Sequence, residues 1–377
     1  MYDVIVAGAG PAGSTAAMVL AQAGLRTLLI DREGFPREKA CGDAVPAHGF
    51  HILNELGMPL FSPEDVLPMA HVFVQGPRGR SLKLALTQKK DSNSAIVSRY
   101  VFDHALYKHA LASGAEFCQM AVSAPLLEEG QVVGVTAKQG KTSETFRSRV
   151  VIAADGATSV IARALGGAAR PDEARAVALR GYVESDVDLE PTMDLVFLRE
   201  IQPGYAWFFP MSKRRANIGV GMRADTYRQL HASLPDMLDS YMQSSEVKRR
   251  VGSHAVTDLK AWQVPLNILD QRRTYDGALL AGDAGGFVDP LTGAGIYQAI
   301  LTGKRAAEAA VAAIQAGDVS AHGLALYDQL WRRDLGTEIK RSTLLYHLIA
   351  RFPPVMDAMI LLGRSLPPLV PLVIGKI

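Results

Sequence analysis

Cysteine is scarce: Cys41 and Cys118 are the two thiols in 377 residues. That excludes a disulfide framework or a cysteine-rich zinc site and suits a reducing compartment such as the cytoplasm. A charge excess of one sign is also lacking. The 40 basic side chains face 38 acidic ones and no basic block stands out, so nucleic acid is not expected as a partner. No cluster has metal-ligand spacing and no activated-nucleophile triad can be read, so no metal is expected. Internal repeats and low-complexity tracts are missing. Uninterrupted apolar runs are missing too. Val4 to Leu25 carries hardly any charge, but Asp3 stands where a leader would be basic, and Gly8, Gly10, Pro11 and Gly13 interrupt the run. From Leu344 onward, Arg351, Asp357, Arg364 and the pairs Pro353-Pro354 and Pro367-Pro368 break an apolar stretch short of the roughly 20 residues a span requires. Short apolar helices with basic residues between them predict peripheral docking on a membrane surface, with a lid on the substrate site as the alternative.

What is present begins at Tyr2. Asp-Val-Ile-Val-Ala reads as an apolar strand, Gly8-x-Gly10-x-x-Gly13 as a turn, and Ser14 to Ala23 as a helix of small residues; a second strand, Arg26 to Ile30, ends on Asp31. Gly8 permits the tight turn, Gly10 lets backbone N–H groups approach a pyrophosphate, and Gly13 lets helix and strand pack closely. The helix N-terminus faces the phosphates and Asp31 is placed for a ribose hydroxyl. This predicts a dinucleotide site, FAD or NAD; a glycine-rich turn without a ligand is the plain alternative. No second GxGxxG in strand–turn–helix context follows.

Further along, a polar loop from Arg32 to Val45 precedes a helix near Ala47 to Leu56, a hairpin from Ala70 to Leu86, and helical spacing from Ser98 to Leu111. Val122 to Ala137 and Thr145 to Ala153 read as strands. Strands are also expected at Val177 to Val183, Leu195 to Arg199, Tyr205 to Phe209, Asn217 to Gly221 and Trp262 to Leu266, with a helical insert from Tyr227 to Val251. Gly277 to Ala281 is a buried strand, Gly295 to Ala316 a helix, and the chain from His322 is mostly helical. The organisation is therefore α/β. A discontinuous Rossmann-like nucleotide domain (1–70, 96–173, 267–320) holds an inserted antiparallel β-rich substrate domain (71–95, 174–266), and a helical segment (321–377) follows.

Two more strand ends carry acids. Arg149 to Ala154 leads to Asp155-Gly156, where Thr158 or Ser159 can cap a helix. Gly277 to Ala281 leads to Gly282-Asp283, and Gly293 and Gly295 open the next helix, whose dipole places about half a positive charge at that end. Each alone fits a capping acid as well as a ligand site. Together, GxGxxG with Asp31, Arg99, Asp155-Gly156 and Gly282-Asp283 near Gly295 resemble the FAD-dependent hydroxylase superfamily, of glutathione-reductase-like fold. The resemblance implies FAD, with Ala12 at the pyrophosphate, Asp31 and Arg32 at the ribose side, and Val122 near the adenine. It places Arg99 close to the cofactor, Asp283 on the ribityl phosphate side, and Gly295 and Ile296 by the flavin ring.

On a strand, Tyr205, Trp207 and Phe209 project from one face and Phe208 from the other. They make either an aromatic wall for an apolar substrate or ordinary sheet core. Pro203-Gly-Tyr205-Ala-Trp207-Phe-Phe209-Pro210 resembles the PxYxWxFP motif of the geranylgeranyl reductase family, and Lys39-Ala-Cys41-Gly42-Asp43 resembles that family's Cys-Gly loop, apart from Ala44 and Val45 that follow it. The resemblance implies a flavin-dependent reductase that saturates C=C bonds of an isoprenoid chain on a lipid, quinone, pigment or prenyl diphosphate. It implies Tyr205, Trp207 and Cys41 at the reacting centre, Phe209 and Pro210 in the substrate pocket, and Cys41 and Gly42 against the cofactor. NAD(P)H or a protein electron donor would dock transiently. A monooxygenase or halogenase on the same scaffold and a non-catalytic lipid-binding flavoprotein are the alternatives. The halogenase motif WxWxIP differs at two positions here. Cys41 also fits a small buried thiol; Cys118, His48 and His51 are given no chemical role.

Overall fold

The computed structural model describes residues 1–59, 61–86, 93–166 and 171–365. Its first sheet is parallel at its centre. Spatially its strands run Ala278–Leu280, Thr142–Ala153, Tyr2–Ala7, Thr27–Asp31 and Glu116–Gln119, with the short Thr274–Tyr275 antiparallel at the edge. Val4 to Ala7 and Val150 to Ala153 are fully buried because helices and strands cover both faces. The helix Pro11–Gln22 packs on the helix Ile296–Ala316 so closely that a methyl group at Gly303 would come within 2.1 Å of the Ala12 carbonyl oxygen. That approach is why this face is built of alanine and glycine. The stretch read as one strand from Val122 to Ala137 is a hairpin, Ala121–Glu128 and Gln131–Gln139, turning at Glu129 and Gly130, both at positive φ. The charged turn ends one strand where apolar alternation alone runs on.

The second sheet has seven strands in the order Thr257–Pro265, Arg175–Glu184, Arg215–Arg223, Tyr205–Pro210, Thr192–Val196, His71–Gln75 and Ser81–Ala85. All neighbours are antiparallel except Thr192–Val196 with His71–Gln75. Its outer face is covered by Ala224–Gln229, Leu234–Met242 and Ser245–Val251, three short helices where the sequence predicts one insert. Ser233 and Asp236 form a reciprocal capping box that starts the middle helix afresh. The strand expected at Leu195 to Arg199 lies at Thr192–Val196, and a helical turn at Arg199–Ile201 follows. Asp194 is held there by Arg250 at 2.7 Å.

Two helices, Leu326–Arg351 and Pro354–Ser365, end the described chain. The first packs Tyr327 and Trp331 on Phe287 of the nucleotide side. The second lies on the His71–Ala85 hairpin: Arg78 N–H donates to Asp357 Oδ1 at 3.3 Å, and Arg364 Nε donates to the Ser81 carbonyl at 2.7 Å. Its buried Met356 and Ile360 share a cluster with Trp207 and Phe209. The expected break at Pro367-Pro368 lies outside the described residues. Among those described, no helix is long and apolar enough to cross a membrane.

Candidate functional site

A cavity of about 980 Å³ lies between the two sheets. The C-terminal ends of the parallel strands form one wall, and the inner face of the second sheet forms the other. Of the residues singled out in the sequence, Gly8, Gly10, Ala12, Asp31, Arg32, Cys41, Gly42, Arg99, Val122, Asp155, Gly156, Tyr205, Trp207, Phe209, Gly282, Asp283, Gly293, Gly295 and Ile296 line it. Gly13 and Pro210 do not. Gly13 packs against the turn: a methyl group there would sit 1.7 Å from the Gly8 carbonyl oxygen. Pro210, expected in the pocket, falls with Ala206 and Phe208 on the far face, since side chains alternate along the strand.

The nucleotide end shows a built cradle. Gly8 adopts φ +98°, and a side chain there would strike the Ala154 carbonyl at 2.3 Å. Gly10 has an open flank: a methyl group there would find Arg37 Nη2 as its nearest neighbour, 3.8 Å away. Neither the Pro11–Gln22 helix nor the Ile296–Ala316 helix has a side-chain cap, so both N-termini open onto the same cavity. Asp31 takes Ala9 N–H on Oδ2 at 2.7 Å and Glu33 N–H on Oδ1 at 2.9 Å, tying the glycine turn to the second strand. Burial pushes the Asp155 carboxyl up, while Ser159 and the Val160 N–H bond to it. Two uncapped helix ends and an exposed glycine backbone fit a dinucleotide such as FAD: Gly10, Pro11 and Ala12 would hold its pyrophosphate, and Gly293 to Ile296 its electron-rich ring edge.

The loop from Arg37 to Asp43 runs along the cavity between these ends. Arg37 faces Gly10 and pairs with Asp103 at 3.1 Å. Asp103 also receives the Arg99 guanidinium as a two-pronged fork at 2.6 and 2.7 Å, which fixes Arg99 in the wall. Lys39 Nζ sits 3.5 Å over the Trp262 ring. Its pKa is lowered to about 8 by burial, by Arg99 and by Arg37, against the support of Asp283 and Asp103. Burial pushes the Cys41 thiol up, so it stays protonated at neutral pH. A methyl group at Gly42 would meet Phe209 at 3.3 Å and the Trp207 indole nitrogen at 3.7 Å, so here the loop presses on the aromatic wall.

That wall stands on a floor of small residues. Trp207 lies across Gly219 and Gly221, and Ala176 and Ala178 continue the floor. The Tyr205 hydroxyl donates to the Thr292 carbonyl in the loop ahead of Gly293, joining wall to cradle. Burial, with the Asp289 carboxylate, pushes the Tyr205 pKa up. The Trp207 indole N–H donates to Asn217 Oδ1 at 2.8 Å.

Sequence reasoning missed Arg37, Lys39, Asp43, Tyr182, Asn217 and Trp262. Lys39 and Asp43 flank the Cys-Gly pair, and that position was a usable signal. Tyr182 and Asn217 lie within largely buried strands and Trp262 within a mostly exposed one, and in each case only register shows what the side chain faces.

A model of the FAD binding domain family matches residues 1–336. A digeranylgeranylglycerophospholipid reductase of Methanosphaerula palustris is 33% identical over 344 residues, covering 88% of this chain and 82% of that protein. A second protein of that name, from Methanopyrus kandleri, is 32% identical over 354 residues, 90% of this chain and 84% of the relative. Among solved structures, a geranylgeranyl bacteriochlorophyll reductase-like protein of Thermoplasma acidophilum matches with TM-score 0.87 at 25% identity, over 100% of this chain and 96% of that one. The flavin-dependent brominase Bmp2 matches with TM-score 0.79 at 23% identity, over 98% and 92%, which is a likeness of fold.

Proposed function

The chain belongs to the FAD-binding family, and from that premise we propose that it reduces carbon–carbon double bonds of an isoprenoid chain carried on a lipid. The observation that carries this reading is the apolar chamber formed where the Cys41-Gly42 loop meets Tyr205, Trp207 and Phe209, opening directly onto the dinucleotide cradle. The relatives' name supports the substrate class. FAD, when bound, supplies the hydride. An isolated alkene is a poor acceptor, so the protein's share is close positioning and exclusion of water.

The residues divide that work. Gly8, Gly10, Ala12 and Arg37 bind the nucleotide end. Tyr205 is anchored by Thr292, and Trp207 by Asn217 and its glycine floor, so neither ring is free to turn. Ala176, Ala178 and Gly221 leave room for a slender chain along the sheet. Cys41 Sγ and Lys39 Nζ both hold a proton at the wall at neutral pH, each available to the second alkene carbon.

The experiment is anaerobic incubation of chemically reduced holoenzyme with a digeranylgeranyl glycerophospholipid, followed by mass spectrometry. The expected product is a ladder of species heavier by two hydrogens per bond. Product that forms only with oxygen and contains an added oxygen atom would make the protein a monooxygenase. A stable stoichiometric NAD(P)H complex would contradict transient docking of the reductant.

The reading includes peripheral membrane contact. Leu344 and Leu348 on the helix Leu326–Arg351, Phe352 at its C-cap and Leu362 on the last helix are exposed, Leu344 at 68% and Phe352 at 55%, with Lys340 and Arg351 exposed beside them. Apolar side chains ringed by basic ones fit a headgroup boundary. Deleting the last helix would also remove Met356 and Ile360 from the core, so the test uses surface changes. Serine at all four apolar positions is expected to abolish co-sedimentation with anionic vesicles at low salt; equal sedimentation of parent and variant would refute it.

A further inference from the structure

Behind the chamber wall lies a buried acid that touches neither the cavity nor the nucleotide cradle. Asp43 is fully buried and adopts φ +64°, a conformation that Asp and Asn tolerate better than other side chains. Its Oδ2 accepts the Tyr182 hydroxyl at 3.0 Å and Asn217 Nδ2 at 2.8 Å, and its Oδ1 accepts the Arg99 backbone N–H at 3.3 Å. Asn217, also fully buried, is satisfied on both sides. Its Nδ2 donates a second bond to the Cys41 carbonyl at 2.8 Å, and its Oδ1 takes the Trp207 indole N–H at 2.8 Å.

We infer that Asp43 and Asn217 are positioning residues that lock the Cys41-Gly42 loop and the Trp207 indole to each other, setting the width of the chamber between them. The logic is one of donor and acceptor roles. An amide free to flip could present nitrogen or oxygen to the indole. Asp43 accepts only, so it fixes which end of Asn217 is the nitrogen; the oxygen then has to face Trp207. The same nitrogen reaches the Cys41 carbonyl, so loop and wall share one anchor. Tyr182 and Asn217 are cross-strand neighbours, and sheet register delivers both donors to one carboxylate oxygen. A misplacement of about 1 Å at a reacting centre costs up to about a hundredfold in rate. A two-sided anchor of this kind is the device that prevents it.

The inference rests on the reductase reading for its effect on turnover, so the test has a second readout that does not. In a Cys118→Ser background, holoenzyme carrying Asn217→Ala or Asp43→Asn is compared with its parent for flavin content, for the rate of Cys41 alkylation by iodoacetamide at fixed pH, and for reoxidation by a digeranylgeranyl lipid. Asn217→Ala is expected to keep the parent's flavin content, alkylate roughly tenfold faster, and turn over some 10- to 100-fold more slowly, with KM changed less than twofold. Asp43→Asn keeps the backbone conformation and should move in the same direction by less. Alkylation within twofold of the parent in both variants would overturn the inference, as would loss of flavin from both or unchanged turnover despite faster alkylation. Faster alkylation when the parent itself shows no lipid turnover would sustain the anchor and refute the reductase reading instead.

Discussion

The indole of Trp207 packs directly against Gly219: a methyl group at position 219 would stand 2.2 Å from the indole Cζ2 and 2.5 Å from the Leu179 carbonyl oxygen. The neighbouring strand closes one side and the ring the other, so a side chain has no escape. The aromatic wall therefore depends on a residue that contributes no atoms to it.

Gly219→Ala should be destabilising by about 1–3 kcal/mol, the range for overpacking a filled site, and should shift tryptophan emission to the red as Trp207 is pushed out. Denaturant unfolding with fluorescence detection checks both. Parental stability with parental emission would show that the ring is mobile.

Two of the three glycines of the nucleotide turn, Gly10 and Gly13, should fail differently. Gly13→Ala meets backbone at 1.7 Å, so it should give little soluble protein. Gly10 has ordinary backbone angles (φ −73°) and only Arg37 nearby. Gly10→Ala should fold with a parental melting temperature for the apoprotein, yet bind FAD on the order of tenfold more weakly, the cost of about one hydrogen bond to a charged group. Circular dichroism and flavin titration separate the two, and full FAD affinity in Gly10→Ala would contradict the placement of the pyrophosphate.

Lys39 is held at about pH 8 by burial, with Arg99 and Arg37 against it and Asp283 and Asp103 for it. Its folded value lies below the ordinary 10.5, so its charge destabilises the native state most below about pH 8, and that penalty fades between pH 8 and 10.5. The Lys39→Met apoprotein should thus melt higher than the parent at pH 7, with the gap closing towards pH 10.5. Thermal scans across that range are the measurement; a gap that widens with pH would reverse the assignment.

Asp43 makes a complementary prediction in acid. Burial raises its carboxyl to about 6 from 3.8, although Asn217 and Tyr182 hold it lower than burial alone would. Its folded value is above the unfolded one, so the native state takes up the proton first, and stability from this group is lost as pH rises from about 4 to about 6. Relative to Asp43→Asn, which does not titrate, the parent should lose stability across that window and hold a constant difference above it. Denaturant midpoints at half-unit pH steps would show it; a parent that gains on the variant as pH rises would mean that the carboxylate is stabilised rather than strained.

Much of the nucleotide end was legible because its determinants are local. Glycines at 8, 10 and 13 act on their own turn within a few residues, and the acids at 31, 155 and 283 stand at strand ends that hydrophobic patterning marks. Period-two alternation also assigned Tyr205, Trp207 and Phe209 to one face. The same alternation, followed one residue further, would have put Pro210 behind the sheet; the family motif drew it into the pocket instead. Strand ends drifted where a charged turn, Glu129-Gly130, or a helical turn, Arg199–Ile201, stops a strand that apolar residues would continue.

The anchor behind the chamber was decided by tertiary structure alone. Asp43 is separated from Tyr182 by 139 positions and from Asn217 by 174. In the chain Asp43 is marked by its place in the Cys-Gly loop, but Tyr182 and Asn217 carry no signal of their own, and nothing local says that the three meet. Only the pairing of Tyr182 opposite Asn217, and the docking of the Cys41 loop onto that pair, turns three isolated side chains into one satisfied network. The sequence by itself determined the nucleotide turn, the strand faces and the aromatic row, because short-range sterics and side-chain periodicity act within a few residues. Which polar groups meet depends on strand register and on how the two sheets close over the cavity. Those are set by burial of the whole core, which no single segment encodes.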